Sequence, residues 1–246
     1  MEAGGAGCCM QVIEKHASVR KFRGDPVPDG DLRVILEAAR RAPSGWNLQP
    51  YTIVVVRDGE RRREIADAVG GQEHVAEAPV FLVFMVDLAK VADAASRLGL
   101  EARPNLAALV EALVDVGIAS AWAALAAESL GYGVVYVALY ENPCGVADIV
   151  SAGKGTLPVI GLAIGRPAEE PRPRRRQRLE ALVHEEAYRG ARGDAILEVY
   201  GDRARRVFTY LYGPGGYYGE ASLNLIRCLR RQGLGEALEE PLEARS

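Results

Sequence analysis

The chain has 246 residues, 49% of them apolar, which suffices for a sizeable buried core and argues against a disordered polypeptide. Lys and Arg number 30 and Asp and Glu 33, a formal net charge of −3, so neither nucleic acid nor an anionic membrane is an expected partner of the whole protein. The four cysteines, Cys8, Cys9, Cys144 and Cys228, lack the pairwise spacing of a zinc or redox site and suit a reduced, cytoplasmic setting.

Residues 1–10 form a Gly-rich start that is expected to be disordered; with no basic region and no long apolar run, it does not read as a signal peptide. Gln11 to Ala17 reads as a short helix that gives way to an extended Ser18–Arg23. After the Asp25-Pro26-Val27-Pro28 turn, Asp29 or Asp31 can cap a helix whose Leu32, Ile35, Leu36 and Ala39 recur at i, i+3, i+4, i+7. The loop Ala42–Pro50 then leads into Tyr51–Val56, whose β-branched character suits a strand buried on both faces. Arg61 to Val69 is a helix closed by Gly70-Gly71, and Pro79–Val86 a second buried strand.

Leu106 to Leu130 is the one segment that invites a membrane reading. It contains Glu111, Asp115 and Glu128, and its longest uncharged stretch, Val116–Ala127, is 12 residues. A span needs about 18, so a buried helix is expected. Gly133–Leu139 and Leu157–Ile164 complete the strands. Pro167–Gln177 reads as an ordered surface crossing. Helices over 195–212 and 220–232 flank the Gly-rich segment Gly213–Gly219, whose Tyr217 and Tyr218 are candidate lid residues. Strands alternating with helices indicate an α/β or α+β sheet protein, one domain over 1–246 with a C-terminal helical extension over 195–246.

Several chemistries can be excluded on order and spacing. Gly131-Tyr132-Gly133 lies between a helix and a strand, the reverse of what a dinucleotide turn requires, and no phosphate-binding G-x-x-x-x-G-K-[ST] loop occurs. The three histidines, His16, His74 and His184, stand at ligand spacing neither from one another nor from a cysteine, so no metal site is expected. No G-x-S-x-G elbow is present.

What the chain does offer is a set of groups for holding a flat anion. In Ala42–Pro50, prolines fix both ends, Gly45 permits close backbone approach, and Ser44, Asn47 and Gln49 supply donors and acceptors. An ordinary turn has the same composition. His16, Ser18 and Arg20 sit where the first helix ends, and Arg172–Arg178 places five arginines in seven positions, whose forked N–H groups suit phosphate. Gln72 and His74 add an amide and an imidazole on the turn after Gly70-Gly71. Poor nucleophiles beside good anion ligands point to chemistry done by a bound cofactor.

His16-Ala17-Ser18-Val19-Arg20-Lys21-Phe22, the Ala42–Pro50 loop and Leu157–Pro167 resemble the FMN-dependent nitroreductase family. Gly70–Ala76 and Leu182-Val183-His184-Glu185 are similar to its oxygen-insensitive, NADPH-preferring branch, which includes flavin reductases. These blocks follow in order along about 200 residues, and the C-terminal region matches only loosely.

The resemblance implies an α+β fold with a central, mostly antiparallel sheet flanked by helices, and an intertwined homodimer with FMN at the subunit interface. It implies that His16, Ser18 and Arg20 hold the FMN phosphate and ribityl chain, that Ser44 approaches the flavin, and that Gln72 meets its ribityl or pyrimidine side. Gly133 and Val134 would turn backbone N–H groups toward flavin N5 and O4, and Arg174 and Arg176 would bind phosphate. No side chain is expected to act as an essential acid or base. The implied activity is reduction of nitroaromatic, quinone or flavin-type acceptors by NADPH or NADH with ping-pong kinetics. Alternatives are a specialised flavoenzyme of the same fold with another substrate, a non-catalytic FMN-binding protein, or a nucleic-acid binder using Arg172–Arg178. The chain departs from the family in having His16-Ala17 where two adjacent basic residues are usual.

Overall fold

The apolar, β-branched segments become four strands: β1 (Tyr51–Val56), β2 (Val80–Asp87), β3 (Gly133–Ala138) and β4 (Thr156–Gly165). In this computed structural model, which describes residues 8–235, they form one antiparallel sheet in the order β1-β2-β4-β3. Helices α1 (Cys8–Lys15), α2 (Asp29–Arg41), α3 (Gly59–Ala68), α4 (Glu73–Glu77), α5 (Leu88–Arg97) and α6 (Leu106–Ser129) precede β3. After it come α7 (Pro143–Ile149), α8 (Leu179–Leu182), α9 (Gly193–Tyr200), α10 (Ala204–Tyr212) and α11 (Tyr217–Arg231). The expected start of the chain lies outside the described residues up to residue 7, and α1 begins at Cys8.

The period of two in β2 divides the interior. Val80, Leu82, Phe84 and Val86 face a core shared with α2 and α6, while Phe81, Val83 and Met85 face a second core under α3, α4 and α7. Side chains of β4 divide likewise, with Leu162 and Ile164 on one side and Ala163 on the other. Strand β1 was expected to be buried on both faces, yet between Tyr51 and Val56 its residues are only half-buried. Its place at the sheet edge explains this, since one flank has no neighbouring strand.

Two further expectations are corrected. Neither Asp29 nor Asp31 caps α2: Pro28 holds the cap position, and no side chain bonds the first turn. Both carboxylates have partners elsewhere, Asp29 in the Arg57 guanidinium and Asp31 in the Tyr132 hydroxyl, each at 2.5 Å. The expected helix over 195–212 is broken at Gly201, whose φ of +54° suits glycine and ends α9. Tyr217 and Tyr218 open α11 instead of lying in a loop, and their rings pack against Tyr210 and Tyr212.

Helix α6 is long and apolar enough to cross a bilayer by composition, but one face packs onto α2 and the sheet through Leu109, Ala112, Val116, Ala119, Ala123 and Ala127. The expectation of a fully buried helix therefore holds for that face alone. Leu106, Val110, Val114 and Trp122 remain exposed on the other.

The start of β3 is fitted to the segment after α1. A Cβ on Gly133 would lie 2.5 Å from a Val19 methyl, closer than side-chain atoms approach. Gly133→Ala is expected to cost about 1–3 kcal/mol of stability by overpacking. Most of that cost should vanish in a Val19→Ala background, which a double-mutant cycle by urea denaturation would show.

Candidate functional site

The segment after α1 is laid along the far end of the sheet by its backbone. Val19 N–H donates to the Val134 carbonyl at 3.0 Å, Arg23 N–H to the Arg166 carbonyl at 2.8 Å, and Phe22 forms a bridge with Pro167. The Glu169 carboxylate accepts the N–H groups of Arg20 and Lys21 at 2.6 and 3.1 Å. Ala17 and Val19 turn into the interior, whereas the Arg20 side chain is exposed. Ala17 thus occupies a buried position, where a second basic residue would be desolvated. His16 is drawn to α6, its Nδ1 2.7 Å from Glu128 Oε1. Burial raises the Glu128 carboxyl, and the bond to His16 opposes that shift.

Beside Arg20 stands His74. Burial first, and then the Arg20 charge, push the His74 imidazole below its usual pKa, so that it is neutral over a wider range. Its Nε2 is buried and has no hydrogen-bond partner, a costly state for a polar atom unless a ligand completes it. Gln72, at the start of α4, donates through Nε2 to the Val69 carbonyl at 2.9 Å and keeps its amide oxygen free for another partner. Ser18, Arg20, Gln72 and His74 thus belong to one neighbourhood, which the Gly133–Val134 end of β3 adjoins.

Ser44 is elsewhere. Its loop rests on α6 at Asp115, whose Oδ1 accepts the Gly45 N–H at 3.3 Å. Asp115 and Glu128 are thirteen residues apart on α6, roughly 20 Å at the rise of a helix. One chain therefore does not bring Ser44 to the neighbourhood of His16. The loop itself is strained: Trp46, Asn47 and Gln49 have φ of 50°, 57° and 50°, where side chains are disfavoured. Gln49 N–H donates to Ser44 Oγ at 3.3 Å, and the Gln49 amide to Asn47 Oδ1 at 2.9 Å. Trp46 is 90% exposed, so it is no core aromatic.

Beneath this loop lie two carboxylates that the sequence reading treated only as obstacles to a membrane span. Asp115 is 3% exposed, and its Oδ2 lacks a partner, as does Glu111 Oε1. A Cβ on Gly45 would fall 1.8 Å from that Glu111 oxygen, so the loop passes the helix in the space a side chain would fill. Burial raises the Asp115 carboxyl above the usual range; the Gly45 N–H opposes this, and Glu111 adds to it. Their i, i+4 spacing on an otherwise apolar helix is the signal that marks them.

Arg174 and Arg176 form a third group. With Arg172, Arg175, Val199, Tyr200 and Arg203 they line a cavity of about 450 Å³. Among the described residues these four neighbouring arginines of the 172–176 stretch pair with no carboxylate, whereas Arg178 is bound to Asp194 and Glu198. A cavity of about 780 Å³ is lined by Gly133 with Ala17, Val19, Tyr132, Glu128, Glu169 and Glu170 among others. Of the candidate residues it takes in Gly133 alone, and Glu128, Glu169 and Glu170 share its lining with Lys15, Arg23 and Arg166.

The raised Asp115 carboxyl has a pH signature. The folded state holds this proton more tightly than the unfolded chain, so its contribution is greatest in acid and is lost as pH rises through the folded pKa. Asp115→Asn, which keeps an acceptor for Gly45, should therefore gain stability over the parent protein as pH moves from acidic to neutral. Asp115→Ala, which removes the same proton-binding group but leaves the Gly45 N–H without its acceptor, should follow the same trend with pH, displaced downward by about 1–3 kcal/mol at both. Denaturant melts at the two pH values would check this, and a stability difference between Asp115→Asn and the parent that does not change with pH would refute it.

Known proteins share this fold. The model of the Nitroreductase family matches residues 13–166. The chain is 37% identical over 180 residues to an FMN reductase [NAD(P)H] of Bacillus subtilis, covering 72% of each protein. It is 34% identical over 182 residues to the oxygen-insensitive NADPH nitroreductase of Salmonella typhimurium, covering 73% of this chain and 74% of that protein. The crystal structure of nitroreductase A from Vibrio parahaemolyticus superposes with a TM-score of 0.83 at 28% identity, over 94% of this chain and all of that one. The structural match thus reaches past the family model into the C-terminal helices, and the chain belongs to the nitroreductase family.

Proposed function

We propose that the protein is an FMN-dependent oxidoreductase that uses NADPH or NADH to reduce small acceptors such as nitroaromatics, quinones or flavins. Within a family whose relatives are FMN reductases and nitroreductases, one observation carries the reading. A buried imidazole nitrogen of His74 lacks a partner beside the unpaired Arg20 guanidinium, with Ser18 and Gln72 adjoining. That donor set fits a flat anionic cofactor. Bound FMN would supply two-electron transfer between nucleotide and acceptor.

The chain's own contribution is binding and electrostatics. Arg20, Arg174 and Arg176 would neutralise phosphate, and Ser18 and Gln72 would hydrogen-bond the polar chain and ring edge. His74, neutral and fixed by burial, would complete its Nε2 on the cofactor. His16 reaches the same region but is already engaged by Glu128, so its part is to hold the segment on α6. Val134 spends its carbonyl on Val19, which leaves N–H groups at this end of β3 to face electron density on the ring. Donor and acceptor would use one open face in turn, giving ping-pong kinetics.

The separation of Ser44 from Arg20 favours an intertwined homodimer in which one subunit's Ser44 loop completes the other's site. The exposed stripe of α6, Leu106, Val110, Val114 and Trp122, together with Trp46, supplies apolar surface for such an interface. The chain would act as one domain with 195–246 as an extension, in a reduced cytoplasm.

Anaerobic visible spectra before and after NADH or NADPH test the reaction: the protein should be yellow and bleached by at least one nucleotide. Yellow protein that neither bleaches would overturn the proposed activity. Arg20→Ala should weaken FMN binding about 10–100-fold, read by fluorescence titration. Arg20→Ala and Ser44→Ala chains, each impaired alone, should recover about a quarter of the native sites when co-expressed, because the mixed dimer keeps one intact site. If both residues serve the site from one chain, co-expression restores nothing.

A further inference from the structure

Two of the four cysteines, far apart in sequence, meet on facing helices. Cys144 lies half-buried on α7, Cys228 is wholly buried on α11, both are free thiols, and Cys144 packs against the core cluster that includes Cys228. The helices are fixed to each other on either side of this pair. One turn before Cys228, Asn224 Nδ2 donates to the Glu141 carbonyl at 3.0 Å. One turn after it, the Arg231 guanidinium takes both oxygens of Asp148, one at 3.1 Å. Positions 141, 144 and 148 thus face 224, 228 and 231 in register, and the thiols occupy the middle rung.

We propose that Cys144 and Cys228 are a redox-modification site, closing to a reversible intramolecular disulfide on exposure to hydrogen peroxide and so pinning α11 to α7. The more open Cys144 sulfur attacks the peroxide O–O bond and becomes a sulfenic acid, its thiol proton leaving with the displaced hydroxide as water. The Cys228 sulfur then attacks Cys144 sulfur, and the sulfenic hydroxyl leaves with the Cys228 proton as a second water. Two thiols and one peroxide give one disulfide and two waters. Burial, with Cys144 adding to it, pushes the Cys228 thiol upward, so the more open Cys144 is the sulfur that meets peroxide first. A thiol reductant reverses the link.

The effect falls on the C-terminal helix. Tyr217 and Tyr218 open it, and Leu229 and Leu234 anchor its end in the main core. Closing the bond removes the freedom of α11 to leave that surface. The inference concerns thiol chemistry and stands apart from the flavin reading.

The test uses the full chain with Cys8→Ser and Cys9→Ser, so that only the pair remains, and the parent protein in parallel by peptide mapping. After peroxide, alkylation under denaturing conditions should count no free thiol, and the intact mass should fall by two hydrogens. A reductant-sensitive peptide should join α7 to α11, and the unfolding temperature should rise. Cys228→Ser should instead accumulate oxygen on Cys144, and Cys144→Ser should leave Cys228 reduced. Persistence of both thiols after peroxide would overturn the proposal. So would sulfinic acid at Cys144 with Cys228 still free, or disulfides that only join separate molecules.

Discussion

Helix α6 meets the sheet through alanines at positions 112, 119, 123 and 127, all without solvent exposure. Small side chains let the helix axis come close, and the rest of the structure is arranged around that contact. Four attachments hang on this one element. The sheet packs on its alanine face, α2 lies beside it, His16 is tied to it by Glu128, and the Ser44 loop rests on Asp115. A helix placed this tightly cannot shift to suit one attachment without disturbing the others. Its polar residues are few, and two of the three carboxylates that interrupt its apolar sequence, Asp115 and Glu128, each bind a neighbouring segment.

The length of the helix also sets the architecture of the site. By placing the Ser44 loop and the His16 segment well over a helical turn apart, α6 divides the proposed cofactor-binding groups between two places on one protomer. Meanwhile the face turned away from the sheet stays apolar and open. The proposed homodimer would account for both facts, with α6 of one subunit lying against the other. Among the described residues, Arg20 and the arginines of the 172–176 stretch pair with no carboxylate, while Arg40, Arg63 and Arg178 are neutralised locally.

Much of this could be read in the amino-acid order. The strands and the amphipathic α2 follow from period and β-branching, which local sterics enforce, whereas the choice of an antiparallel α+β sheet over an α/β one was legible only through the family resemblance. Candidate groups at Ser18, Arg20 and Gln72 were legible because they sit in motifs with fixed spacing. What could not be read depends on distant partners. Asp29 and Asp31 have the chemistry of caps, but Arg57 and Tyr132 claim them. The left-handed turns at Trp46, Asn47 and Gln49 run against residue preference and arise from packing over Glu111 and Asp115. An almost uniformly apolar α6 carries no mark of which face is covered. His74 reads as one more turn residue until burial shows its Nε2 alone.

The position of Cys228, Leu229 and Leu234 within the main core has a consequence for how the chain is made. The last helix closes onto α7, and the Gln232 carbonyl accepts the Gly155 N–H at 2.8 Å, just before β4 begins. A nascent chain that has already produced all four strands still lacks the side chains that seal their core. Until residues 228–234 are made, apolar surface on the α2–α6 side stays uncovered, and the contacts that close it span long sequence separations. A chain shortened within α11 therefore carries an unfinished interior rather than a missing appendage.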